Sequence, residues 1–128
     1  MARIVIPVAV PESTNHMVGM PPVPKWKDQE NGIRAVDRDS GAPLFTLTLF
    51  VMGEERAETM KVTVPQTGLP NGLHIGRFVR PVGLVATPWA RIFNDQLQDG
   101  VAYRCESLTL VESPALGQNV TVPQDAAA

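Results

Sequence analysis

Residues 44–52, LFTLTLFVM, alternate in a strict period of two. Phe45, Leu47, Leu49 and Val51 fall on one side and Thr46, Thr48 and Phe50 on the other. That is the pattern of a half-buried strand. Residues 59–64, TMKVTV, alternate in the same way, with Met60, Val62 and Val64 inward and Thr59, Lys61 and Thr63 outward. The short polar linker 53–56 between them predicts an antiparallel hairpin. Two further strand-like runs, 78–86 and 101–111, flank a polar loop that carries aromatic residues. Gly83 sits inside the first of these runs, where a lone glycine marks a bulge or a tight bend at a barrel corner. The apolar run 4–10 predicts one more strand, paired with its own chain or with a neighbour.

Punctuation fills in the rest. Asn31-Gly32 within 28–32, and Ser40-Gly41 with Pro43 within 37–43, are turn signals. Residues 25–38 therefore read as a strand end followed by a small, charged, hairpin-like loop. Gly68, Pro70 and Gly72 disfavour a regular helix over 65–76. Together these elements predict an all-β fold: a five-stranded OB-fold-like barrel with an extra N-terminal strand. In such barrels the loop between strands 4 and 5 is a usual ligand-contacting element. The expected core is Phe45, Leu47, Leu49, Val62, Val79, Val85, Tyr103 and Leu108.

With 128 residues the chain is expected to form one domain over 1–111, with 1–14 as an N-terminal strand or arm. The polar segment 112–128 is expected to be a flexible tail, with a marginal strand at 120–122. No apolar run approaches the roughly 20 residues of a membrane helix. The first residues lack the longer apolar core of a signal peptide. Cys105, the single cysteine, excludes an internal disulfide and suits a reducing cytoplasm. Flanked by Arg104 and Glu106 in a strand, it is expected to be a buried structural thiol.

Catalytic chemistry finds little support. His16, His74 and Cys105 have no metal-ligand spacing. The carboxylate pairs Glu54 with Glu55 and Asp37 with Asp39 sit in predicted turns, where solvation keeps them ordinary. There is no phosphate-cradling glycine loop, nucleophile elbow or zinc-protease motif. The expectation is a protein that is not an enzyme and uses no cofactor or metal. The formal net charge of −2 argues against strong non-specific binding to duplex DNA. It leaves room for a local basic face.

Single strands are held by base stacking on aromatics with basic groups along the phosphates. Lys25, Trp26 and Lys27 form such a triplet before a turn. Trp89, Arg91 and Phe93 alternate after the glycine-bent strand and share a side if the segment stays extended. Lys61, Arg77 and Arg80 complete the candidate phosphate contacts. Each aromatic also has a plain structural reading: Trp26 packed on the core, Trp89 and Phe93 capping an open barrel end. Aromatic content of 5% is too low for a long stacking platform.

The segment PKWKDQENGIRAVDRDSGAPLFTLTLFVM, then AETMKVTVP, FVRPVGLVATPWA and VAYRCESLTLV, resembles a family of small proteins. Its members are carried by actinobacterial integrative and conjugative elements and plasmids, and are usually described as regulatory or hypothetical. The likeness covers about residues 15–111. It is firmest at D-R-D-S-G-A-P-L (37–44) and V-G-L-V-A-T-P-W (82–89). It implies a role in replication, maintenance or transfer of the element and brings no catalytic residues. At the level of fold the strand order is similar to that of single-stranded DNA-binding proteins. The expected function is a non-enzymatic, single-stranded DNA- or RNA-binding or accessory protein. Replication or transfer proteins are its possible partners, with a homo-oligomeric state and no membrane association. The alternative is a protein–protein adaptor or regulatory subunit on the same fold.

Overall fold

The computed structural model describes residues 4–53 and 55–112. The tail expected over 112–128 lies, beyond Glu112, outside the described residues. The strands are β1 (Ile6–Pro7), β2 (Asn15–Pro24), β3 (Trp26–Asp28), β4 (Ile33–Arg34), β5 (Leu44–Met52), β6 (Ala57–Pro65), β7 (Phe78–Val82), β8 (Val85–Phe93), β9 (Gln96–Arg104) and β10 (Ser107–Leu110). One 3-10 turn, Gln66–Gly68, is the only helical element among the described residues. The fold is all-β. Eight strands form one sheet in the order β1-β8-β9-β6-β5-β2-β7-β10, and β3 and β4 form a separate small hairpin.

The period-two runs fold as their alternation demands. β5 and β6 pair antiparallel without a slip from Leu44↔Pro65 to Met52↔Ala57. Their inward residues Leu47, Leu49, Val62 and Val64 are buried beside Val18, Val79, Leu84, Cys105 and Leu108. Tyr103 packs against this cluster while partly buried. Two expected core residues, Phe45 and Val85, are only half-buried. Phe45 is covered on one ring face by the Arg34 guanidinium. Val85 turns outward because the inward face changes parity at Gly83. Val79 and Pro81 are buried before it, Leu84 and Ala86 after it.

That change of parity marks the corner of one long bent hairpin. β7 pairs with β10 up to Val82↔Ser107, and β8 pairs with β9 from Val85↔Arg104, so a single register runs through both ladders. Between them the strands release each other. Gly83 adopts φ +70°, a left-handed conformation that glycine takes without steric cost. Across the corner, Glu106 N still donates to Val82 O (2.8 Å). Cys105 N donates to Thr63 O (3.1 Å) and Val8 N to Leu84 O (2.9 Å). Each half of the hairpin thereby finds its own neighbours. The β7 half joins β2 at His16↔Val79. The β8 half joins β1 at Ile6↔Ala86. β9 runs parallel to β6 at Val62↔Tyr103 and Thr63↔Arg104.

One expectation changes, and one strand is unannounced. The segment between 86 and 101 is not a loop. It is β8–β9 ladder, closed by the two-residue turn Asn94-Asp95 at φ 53° and 63°. Asparagine and aspartate tolerate positive φ at both central positions of such a hairpin turn. The unannounced strand is β2. It contains Gly19, Pro21, Pro22 and Pro24, residues that weaken a strand. It pairs with β5 only through register shifts at Val18/Met20 and Met20/Val23.

Candidate nucleic-acid interface

The outward side of β5, β6, β9 and β8 is the polar face of the sheet. On β6 it carries Lys61 and Thr63, opposite the buried Val62 and Val64. Lys61 is exposed and stands across from Thr48. Thr63 is in register with Arg104 of β9, and Lys61 lies two residues before Thr63 on the same side of β6. From there the face runs up the β8–β9 ladder. Trp89 is paired with Gly100, Arg91 with Gln98 and Phe93 with Gln96, so the three candidates do share one side. Trp89, 42% exposed, lies flat across Gly100. A Cβ built on Gly100 would come within 2.8 Å of the indole. The Arg91 guanidinium sits 5.7 Å from the Trp89 ring centroid. Its Nε donates to Gln98 Oε1 at 3.1 Å. Phe93 is exposed beyond them.

The β3–β4 hairpin closes the other end. Trp26 pairs with Arg34 across the 28–32 turn. The Arg34 guanidinium lies 5.4 Å from the Trp26 ring centroid and 5.0 Å from that of Phe45. It donates to Leu44 O at 3.4 Å. Trp26 thus has one face engaged and stays 39% exposed. Lys25 Nζ donates to Thr63 Oγ1 at 3.3 Å, which brings Lys25 to the polar face of β6, while the Trp26–Arg34 stack stands over Phe45, on the side of Val64. Lys27 is exposed. Asp37, expected as a solvated turn carboxylate, is instead buried, and its carboxylate accepts from Ser40 N (3.0 Å), Ser40 Oγ (2.8 Å) and the Arg104 guanidinium. It ties the 37–43 turn to β9.

Arg77 and Arg80 lie beside and on β7, away from β6 in the sheet order. Arg80 is on β7, three strands from β6 in the sheet order, and its guanidinium donates to the Val10 carbonyl. Arg77 precedes β7, and its carbonyl accepts from Val18 N at 2.8 Å. Arg34 and Arg104 are the cations that sequence reasoning passed over. Arg34 had a usable signal: folding residues 26–34 about the Asn31-Gly32 turn sets it against Trp26. For Arg104 there was none, because its place depends on the parallel β6–β9 register.

Two further titratable groups, His16 and Cys105, are buried. Desolvation first and the Arg80 charge second hold the His16 imidazole below the ordinary value of 6.5. Burial pushes the Cys105 thiol up to about 12, which keeps it un-ionised and unreactive. Among the described residues no three His, Cys, Asp or Glu side chains are grouped to hold a metal ion. Nor is any helix among them long and apolar enough to cross a membrane. Comparison with protein-family models, curated proteins and solved structures finds no match to this chain.

Proposed function

We propose that the chain is a non-enzymatic binder of single-stranded DNA or RNA, built on a five-stranded barrel of the OB type. Two features of the pairing support the barrel. If each bent hairpin arm counts as one strand, the contacts run β2 to β5, β6, the β9/β10 arm, the β7/β8 arm and back to β2. The β6–β9 contact is parallel within an otherwise antiparallel set. The observation that carries the function is the polar face itself. Trp89 with Arg91 stands at one end of it, and Trp26 with Arg34 stands past the other end, over Phe45 at the rim of the core-facing side. Lys25, Lys61 and Arg104 stand between them. Exposed aromatic faces stack bases, and cations spaced along a strand follow phosphates. The resemblance to proteins of actinobacterial mobile elements adds a setting: cytoplasmic replication, maintenance or transfer, with proteins of those processes as partners.

Anisotropy titration of labelled oligo-dT at two salt concentrations tests this. Trp89→Ala should cost about 1–3 kcal/mol of binding without a matching loss of melting temperature. Lys61→Ala should flatten the salt slope by about one contact. Binding that is absent, or that does not respond to salt, refutes the proposal. A protein adaptor on the same fold is the second reading, and the exposed aliphatic side of the β8–β9 ladder favours it.

A further inference from the structure

We infer that the aliphatic side of the β8–β9 arm is a self-association surface, covered by the same surface of a second copy of this chain. Beyond Ala86 and before Tyr103 the arm has no strand beside it. β1 reaches β8 only at Val85 and Ala86, and β6 reaches β9 only at Tyr103 and Arg104. Residues 87–102 thus stand out as a two-stranded ribbon with open edges, a form that is marginal in water by itself. Its two sides differ. One is the aromatic side already described. The other continues the core-facing side of Leu84 and Ala86 into solvent, through Ile92, Leu97 and Val101. These are 77%, 70% and 49% exposed. Ile6, paired with Ala86, lengthens the patch and is 48% exposed.

With Pro88 and Ala90 the patch exposes on the order of 500 Å² of apolar surface, the scale at which a monomer's largest patch has a purpose. Two copies face to face would bury up to about 1,000 Å², the lower limit for a specific interface. The chemistry fits a second copy in particular. The patch holds no cation and a single carboxylate, Asp99, and so has nothing to select a partner by charge. Its apolar tip (Ile92, Leu97) can meet the apolar base (Val101, Ile6) of a second copy, and the converse, as in a two-fold, self-complementary contact. Asp99 between them limits affinity through its desolvation and through repulsion of its mate across the two-fold axis. The aromatic side stays free, so self-association does not depend on nucleic-acid binding.

Sedimentation equilibrium without nucleic acid, over about 1–100 μM, is the test. The mass should rise from monomer to dimer with concentration. Ile92→Lys and Leu97→Glu should each weaken the dimer by roughly a hundredfold or more. Their circular dichroism and their melting as dilute monomers should be unchanged, since both positions are largely exposed. Trp89→Ala, on the opposite side, should leave the dimer intact. A monomer at every concentration overturns the inference, as does a dimer that persists in both charged variants.

Discussion

Replacing Asp37 by asparagine should loosen the 37–43 turn from β9 and lower stability by about 2 kcal/mol. The side chain keeps its volume but loses its charge, and one of its acceptor oxygens becomes an amide donor. Two backbone bonds shape the turn itself, Asp37 N to Ala42 O and Gly41 N to Asp37 O, both at 2.8 Å, and both survive. What is lost is the ionic attachment to Arg104. Asp37 is 9% exposed at its side chain and Arg104 is 42% exposed. Fully exposed pairs contribute about 0–1 kcal/mol, whereas breaking a fully buried pair costs about 3–5 kcal/mol. Here one partner is buried and the other can rehydrate, which places the loss between those limits. For a domain of this size that is a melting temperature lower by about 5–10 °C. Thermal unfolding of Asp37→Asn, Arg104→Gln and the double variant should give a coupling of about 1–2 kcal/mol. Additive losses, or an Asp37→Asn protein that melts within about 1 °C of its parent, would refute the tether.

Gly68→Ala should be more damaging, by about 3 kcal/mol or more, because its Cβ would stand 2.0 Å from the Glu106 carbonyl oxygen and 2.7 Å from Ser107 Cα. Those are backbone atoms of the hairpin corner and cannot swing aside, so a chemical denaturation midpoint equal to the parent's would contradict the close approach. His16 sets a pH dependence. Its folded pKa lies below 6.5, so the unfolded chain takes up the proton first, and stability is full above that value and falls as pH drops below it. His16→Gln should flatten the decline in melting temperature between about pH 7 and pH 5; parallel declines would show that the imidazole is not its source.

The sheet was legible wherever one side is buried and the other wet. β5 and β6 announce themselves because Leu47, Leu49, Val62 and Val64 alternate with threonines and a lysine. β2 was illegible for the opposite reason. Its first half buries His16 and Val18 while its second half, from Met20, is largely exposed and rich in proline. Its pairing is imposed by β5 and β7 on either side rather than by its own pattern. The arm was misread as a loop because Ile92, Phe93 and Leu97 are exposed on both sides of the ladder, leaving no polar–apolar period to detect. The candidate site was legible at Trp26, Trp89 and Arg91, whose neighbours are local. It was not legible at Arg104 and Arg34, whose places are fixed by a parallel register and a cross-turn stack. Arg77 and Arg80 were expected among the phosphate contacts, but Arg80 lies on β7, three strands from β6 in the sheet order, and donates to the Val10 carbonyl.

The corner at Gly83 decides what the arm presents to each side. In β7 the odd residues Val79 and Pro81 face the core, and past Gly83 the even residues Leu84, at the corner, and Ala86, in β8, do. Beyond Ala86 the even positions become Pro88, Ala90 and Ile92, and the odd ones Trp89, Arg91 and Phe93. Because side chains alternate with a period of two, an unbroken strand would carry the odd positions inward and send the indole and guanidinium to the core side. The left-handed Gly83 reverses that assignment once, and the opposite strand reverses with it at Cys105 and Glu106 while the pairing register is kept. Gly68 makes room for the reversal by admitting the Glu106 carbonyl where a Cβ would otherwise stand. Two glycines distant in sequence therefore give the arm its two chemistries. The aromatic and cationic one joins the polar face of β6 and β9, and the aliphatic one extends the core into solvent.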